Sequence, residues 1–466
     1  MICERSDYHL FSENLIIVQD RKEQYGEINT PFYFIEEMFD TLPEHLFENP
    51  ELHWLDPGSG HGNFSICLYF RLMKGLEKFI HDPTLRSKYI IKNMLFMVEI
   101  NKENVISLRL IFGTEANIFS GNYLEMSKET FNNQSIDVII GNPPFNINGL
   151  IKVPTNSTRS KKTDGQTAWT HFVRQNLNLL VIGGFMNIII PSIWMKPDKE
   201  HIYNLFTQHK IHKIRCLSNT DTNKLFSYGA QTPTCYLTLE KTLPSSNVST
   251  KIDIYDEICK DFIPIQLKPN MPIALHGWSI LKKILPFCEK YGRLSDIIIK
   301  TNMPPLKSIL STTQDSILFP YPNIHTCHLQ KNQPSLVVKY SNMELPFANQ
   351  PKLILAHKMY GFPYIDETGE YGISNRDNYI IINQSIPQLQ KIQEGLNYKL
   401  ILFIMTTTRY RMKYLERYAF YYLPNFANMK NVVCDFYEKI NITEKEWIYI
   451  NNEIKKEYLF FTPSVS

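Results

Sequence analysis

The chain lacks an uninterrupted apolar run of the roughly 20 residues that a membrane span requires. Its nearest stretch, residues 177–190, is broken by Gly183 and Gly184, so no membrane partner is expected. A CxxC pair is also missing. The eight cysteines are scattered through 466 residues, which points to neither a disulfide framework nor a four-ligand zinc site and suits a reducing, cytoplasmic interior. His325-Thr326-Cys327-His328 offers metal donors but has no second cluster near it, and no metal is expected. The first residues, Met1 to Asp7, include acids and no apolar segment of the kind an export signal carries. No tandem repeat is present, and the formal net charge is only +3.

What is present is unevenly distributed. Residues 1–150 hold 12 Lys and Arg against 21 Asp and Glu, and residues 151–466 hold 37 against 25. An acidic front followed by a basic remainder is what a small-molecule site joined to a polyanion-binding surface looks like. With 43% hydrophobic and 20% charged residues, the composition is that of a folded protein and excludes a mainly disordered, collagen-like or coiled-coil chain. The length predicts two or three domains.

Between residues 50 and 240, short β-prone runs alternate with helical patterns, as in a parallel sheet covered by helices. Strands are expected at 53–55, 95–98, 117–119, 136–140, 185–190, 211–217 and 234–239, and the first four each end in a polar or Gly-rich turn. In such sheets ligands bind beyond the carboxyl ends of the strands. The polar stretch 156–165 reads as a loop, and the turn-forming residues 242–247 place a domain boundary. Beyond it, strands are expected at 352–357 and 378–382, a hairpin turn around Glu367-Thr368-Gly369, and a helix at 386–397.

Three motifs carry chemistry. Asp56-Pro57-Gly58-Ser59-Gly60-His61-Gly62 follows the first strand, and its glycines let the backbone turn sharply and approach a ligand closely. It departs from the dinucleotide pattern G-x-G-x-x-G because the third glycine comes one position early. Glu99 ends the second strand, where a carboxylate can accept both hydroxyls of a ribose. It lies 43 residues beyond Asp56, against roughly 20 in a tight unit, so an insert is expected at 81–93. The third motif, Gly141-Asn142-Pro143-Pro144-Phe145, removes two backbone donors and leaves rigid carbonyl acceptors beside an amide and an aromatic face. This is a cradle for a planar amino group. Accepting its hydrogens on the Asn142 oxygen and the Pro143 carbonyl localises the nitrogen lone pair, and Phe145 stacks on the ring.

The order of these motifs resembles the γ-class S-adenosylmethionine-dependent DNA adenine-N6 methyltransferases, similar to the Taq adenine methyltransferase and Eco57I-like enzymes, over roughly residues 20–240. The resemblance implies an α/β, Rossmann-like methyltransferase fold with a mainly parallel sheet and helices on both faces. It implies a catalytic domain at 1–243 and a mixed α+β target-recognition domain at 244–466. It assigns Gly26 to Pro31 to the N-terminal cofactor motif, with Thr30 and Pro31 as cofactor contacts. Asp56, Gly58, Gly60 and Gly62 fall on the methionine-binding turn, Glu99 on the ribose ligand with Ile100 beside it as a cofactor contact, and Asn142, Pro143, Pro144 and Phe145 on the catalytic motif. Where the family carries an Asp for the cofactor's adenine amino group, this chain has Asn122, and the resemblance makes Asn122 and Tyr123 cofactor contacts.

Phe226 resembles the second aromatic facing an extruded base, since an amino group cannot reach an internal pocket while paired in a duplex. Lys161 and Lys162, in a loop at 148–165, and Arg409, Arg411 and Lys413, interleaved with Tyr410 and Tyr414, are candidate DNA contacts. Tyr360, Tyr364 and Tyr371 flank the expected hairpin. Double-stranded DNA is the expected partner, with a cognate restriction endonuclease as a further candidate; the oligomeric state is left open. The same cradle suits an RNA adenine or a protein glutamine, and a non-catalytic DNA-binding subunit that kept the fold is the non-enzyme alternative.

Overall fold

The computed structural model describes residues 28–146, 167–227, 232–243, 251–302, 306–330, 333–357, 362–376, 378–410 and 415–454. The expected loop at 148–165 with Lys161 and Lys162, and Arg411, Lys413, Tyr414 and Tyr360, lie outside the described residues. The chain divides into two units, Met1–Tyr255 with Pro264–Pro269, and Asp256–Ile263 with Asn270–Ser466.

In the first unit, helix α1 (Phe32–Phe39) precedes strand β1 (Trp54–Asp56). Helix α2 (Asn63–Gly75) follows, then α3 (Pro83–Tyr89), strand β2 (Leu95–Glu99), α4 (Lys102–Phe112), β3 (Asn117–Ser120) and β4 (Ile136–Gly141). The four strands pair in parallel in the order β3-β2-β1-β4. Strands covered on both faces need apolar residues at every position, which is why β1 and β2 are buried throughout and carry almost no alternation. The long gap between Asp56 and Glu99 is accounted for by α3. That helix is started by Asp82, whose side chain accepts the Leu85 N–H at 2.8 Å, with Pro83 in the first turn.

Beyond β4, α5 (Trp169–Leu179) leads into β5 (Leu180–Pro191), parallel to β4. Helix α6 (Ile202–Thr207) leads into β6 (Lys210–Leu217), and α7 (Asn219–Leu225) into β7 (Thr234–Glu240), which inserts antiparallel between β5 and β6. Strands β8 (Lys251–Asp256) and β9 (Asp261–Gln266), not anticipated from the sequence, extend the edge, giving β3-β2-β1-β4-β5-β7-β6-β8-β9. This is an α/β fold with a mainly parallel sheet and a reversed β7, as expected. All seven strands expected before residue 240 are present, with ends shifted by a residue or two except at β5, which starts five residues earlier.

The second unit is mixed α+β. Helix α8 (Trp278–Tyr291) is followed by two four-stranded sheets. One orders β10 (Ile298–Lys300), β17 (Asn378–Ile381), β14 (Lys352–Ala356) and β15 (Tyr364–Asp366). The other orders β11 (Leu310–Ser311), β13 (Gln333–Ser341), β12 (Tyr321–Gln330) and β16 (Gly372–Ile373). Helices α9 (Ile386–Leu396), α10 (Lys399–Thr406) and α11 (Glu444–Glu453) complete it. The turn at Glu367-Thr368-Gly369 is present but makes no hairpin, because β15 and β16 belong to different sheets. It is a crossover held from within. The buried Asp366 carboxylate accepts the N–H groups of Gly369, Glu370 and Tyr371 and pairs with the buried Lys352 ammonium at 2.5 Å.

Candidate active site

Because β1 to β4 run parallel, their carboxyl ends lie along one edge of the sheet, and the turn after each carries one of the expected motifs. Asp56, Glu99, Asn122 and Asn142 are thereby brought to the same edge, although 86 residues of chain separate the first from the last. Register tightens the grouping: Asp56 pairs with Met97 and Leu55 with Ile139.

The glycine turn is built around two buried carboxylates. Gly60 and Gly62 take positive φ, 52° and 90°, and Gly62 caps α2. A Cβ on Gly62 would sit 2.8 Å from Leu108 Cδ2, so both its angle and its packing call for glycine. Glu99 is the clamp on this turn: one carboxylate oxygen accepts the Gly60 N–H at 2.6 Å and the other the Asn101 N–H at 2.7 Å. Asn101 in turn caps α4 by accepting the Glu103 N–H at 3.0 Å. Ile100, next in the chain to Glu99, is 52% exposed, an aliphatic surface beside that carboxylate.

Asp56 is fully enclosed. The Ser65 hydroxyl donates to Oδ2 at 3.0 Å, while Oδ1 is buried without a hydrogen-bond partner. Burial pushes this carboxyl up to about 7, against the opposing pull of the Ser65 hydroxyl and the Gly58 amide, and the nearby Glu99 charge adds to the rise. Gly141, at φ 144°, is the residue that faces it. A Cβ there would lie 3.2 Å from Asp56 Oδ1.

The Asn142-Pro143-Pro144-Phe145 corner leaves β4 directly after Gly141. The Phe145 carbonyl accepts the Ala168 N–H at 3.0 Å, which ties the corner to the start of α5. Its ring is half-buried against the apolar cluster that contains Phe34, Phe226 and Tyr236. The Asn142 amide is held from behind: its Nδ2 donates to Thr30 Oγ1 at 3.2 Å, and the Thr30 carbonyl accepts Asn63 Nδ2 at 2.9 Å. The expected N-terminal motif therefore meets both the glycine turn's helix and the corner.

Three expected residues are placed differently from a simple reading of the motifs. The Tyr123 hydroxyl donates to the buried Asn176 Oδ1 at 2.7 Å, and its ring packs on Phe172, so its side chain belongs to the core. Asn122 Oδ1 already accepts the Leu124 N–H at 3.1 Å and its Nδ2 donates to Glu125 at 2.7 Å, leaving a second lone pair on the oxygen. Phe226 is 4% exposed, packed in the same cluster as Phe145 rather than presented as an open face. In the second unit Arg409 is half-buried between the buried Thr408 and Tyr410, and the Tyr410 hydroxyl donates to the Ile273 carbonyl at 2.7 Å. At Tyr410 the expected exposed stripe is core. Ser65, which joins the site through its side-chain bond to Asp56, carried no motif of its own; a polar residue in the first turn of the helix that follows a strand-end turn is the signal that could have found it.

Residues 76–226 match the family model described as Eco57I restriction-modification methylase. An adenine-specific methylase of Mycoplasma pneumoniae, itself uncharacterized, is 37% identical over 86 residues, 18% of this chain and 20% of that relative. The chain thus matches about a fifth of the length of that curated relative. Among solved structures, a type IIL restriction-modification enzyme, MmeI, in complex with DNA is 12% identical, with a TM-score of 0.48 over 88% of this chain and 69% of that one. The M protein of the type I restriction enzyme EcoKI is 20% identical, with a TM-score of 0.37 over 49% and 48%. The family match takes in Glu99, the Asn142 corner and Phe226, so over residues 76–226 this chain is similar to the Eco57I restriction-modification methylases, the resemblance its strand-end motifs carry.

Proposed function

We propose that the protein is a site-specific DNA methyltransferase that transfers a methyl group from S-adenosylmethionine to the N6 amino group of adenine. The carrying observation is the convergence of a glycine turn, a strand-end carboxylate and a donor-poor Asn-Pro-Pro-Phe corner on one sheet edge, with Asn142 tied back to Thr30. The residues present fit the cofactor. Glu99 places a carboxylate acceptor for a diol at the end of β2, Ile100 offers an aliphatic face, and no atom lies within 4 Å of where a Cβ on Gly58 would stand, which leaves room at the turn. Asp56, Gly60 and Gly62 frame that turn, and the Asn122 oxygen would accept from the adenine amino group.

When bound, the cofactor supplies an electrophilic methyl carbon on a sulfonium. The chain's own contribution is to make an amine nucleophilic. Asn142 Oδ1 and the Pro143 carbonyl accept the two N6 hydrogens, drawing the nitrogen toward tetrahedral geometry, and the Phe145 ring holds the purine plane. In duplex DNA the target base has to leave the stack, and the second unit is proposed as the target-recognition region. A cognate endonuclease is the proposed partner in the cell. Incubation with labelled cofactor and DNA, RNA or protein, followed by sequencing for N6-methyladenine, is expected to place the mark on adenine in one sequence context. Label confined to RNA or protein would end the DNA reading. Glu99→Ala is expected to weaken cofactor binding by roughly ten- to a hundredfold in calorimetry, the loss of hydrogen bonds to a charged group; unchanged affinity would remove Glu99 from the ribose site.

A further inference from the structure

Thr30 is buried just before α1, and its two oxygens face two different parts of the site. The carbonyl holds Asn63 at the start of α2, and the hydroxyl holds Asn142 at the tip of β4, 112 residues away. A carboxamide is planar, with an acceptor at one end and a two-proton donor at the other, and rotation about its last bond is soft. If the Asn142 amide were turned over, its NH2 would confront a substrate amino group, donor against donor. With Nδ2 donating to Thr30, Oδ1 is turned away from Thr30 and kept available as an acceptor. Pro143 and Pro144 have no N–H with which to capture that oxygen. We propose that Thr30 is a positioning residue, its hydroxyl anchoring Asn142 Nδ2 and so holding the side chain at the tip of β4 where Oδ1 can accept the substrate's amino hydrogen. This rests on the reading of Asn142 as that acceptor.

Thr30→Val keeps the shape of the side chain, removes the acceptor and leaves the main-chain bond to Asn63 in place. At saturating cofactor and DNA, single-turnover methyl transfer is expected to slow roughly tenfold, the effect of one buried donor left unmet. Thr30→Ser is expected to restore most of the rate. In an Asn142→Ala background, Thr30→Val is expected to add no further loss, because the group it positions is gone. A Thr30→Val protein that binds cofactor more weakly but transfers at the wild-type rate would assign the hydroxyl to the cofactor instead. Full additivity in the double variant would refute action through Asn142. Wild-type protein that leaves DNA unmethylated would refute the parent reading, whereas normal wild-type turnover with an unaffected Thr30→Val refutes the positioning role alone.

Discussion

Asn142→Ala is expected to slow methyl transfer by roughly a hundred- to a thousandfold while S-adenosylmethionine still binds. An exocyclic amine is a poor nucleophile because its lone pair is delocalised into the ring, so the transition state has to recover that pair. Two preorganised acceptors do so in the proposed mechanism, and removing one such group from an enclosed site typically lowers the rate by this much, about 3 to 4 kcal/mol. The Pro143 carbonyl remains, which is why the loss stops short of the uncatalysed rate. Cofactor binding survives because the glycine turn is held by other bonds, from Glu99 to the Gly60 N–H and from the Thr30 carbonyl to Asn63. The check is single-turnover transfer to DNA beside calorimetry with the cofactor. Turnover within a few fold of wild type would show that the acceptor is misassigned. Loss of cofactor binding together with turnover would make Asn142 a structural residue of the turn.

The strands of the first unit were legible because a parallel sheet buried on both faces demands apolar runs, and runs such as Leu95–Glu99 and Ile136–Gly141 stand out from polar turns. The site was legible for a related reason: its residues are short peptides at strand ends, so the motif and its position are read together. What connects those peptides was not. Ser65 reaches Asp56 and Asn63 reaches Thr30 from inside a largely apolar helix, and such contacts depend on how α2 docks. Strand β8 does alternate, exposed and buried, but it directly follows the turn-rich stretch taken as a boundary. Depth was the other blind spot. Thr408, Arg409 and Tyr410 look in one dimension like an exposed cation and aromatic stripe, whereas Tyr410 fills the interior of the second unit. Phe226 likewise reads as a ring near a loop and is packed in the apolar cluster.

Asp56 should make the first unit progressively less stable as pH rises from about 4 to about 7, and Asp56→Asn should abolish that slope. The carboxyl stands at about 7 in the folded chain, against 3.8 for an exposed one, chiefly because burial disfavours its charge. Below pH 3.8 both folded and unfolded chains hold the proton and the group contributes no difference. Between the two values the unfolded chain has released the proton while the folded chain keeps it, so each pH unit favours unfolding by about 1.4 kcal/mol. Over the interval this amounts to about 4 kcal/mol, and above pH 7 it is constant. Burial sets the value, the Ser65 hydroxyl on Oδ2 and the Gly58 amide pull against it, and the like-charged Glu99 adds to it. Asparagine keeps an acceptor for Ser65 and cannot ionise. Urea unfolding at pH 4.5, 6 and 8, read by hydrogen exchange of the β1 and α2 amides, is expected to show the variant gaining on wild type through this window; parallel profiles would mean that Asp56 is ionised in the folded chain throughout. A carboxyl that weakens its own fold invites a cation at the turn. Binding of the positively charged cofactor is therefore expected to strengthen with pH over the same window in wild type, and to be flat in Asp56→Asn, as the buried charge finds the partner that Oδ1 lacks.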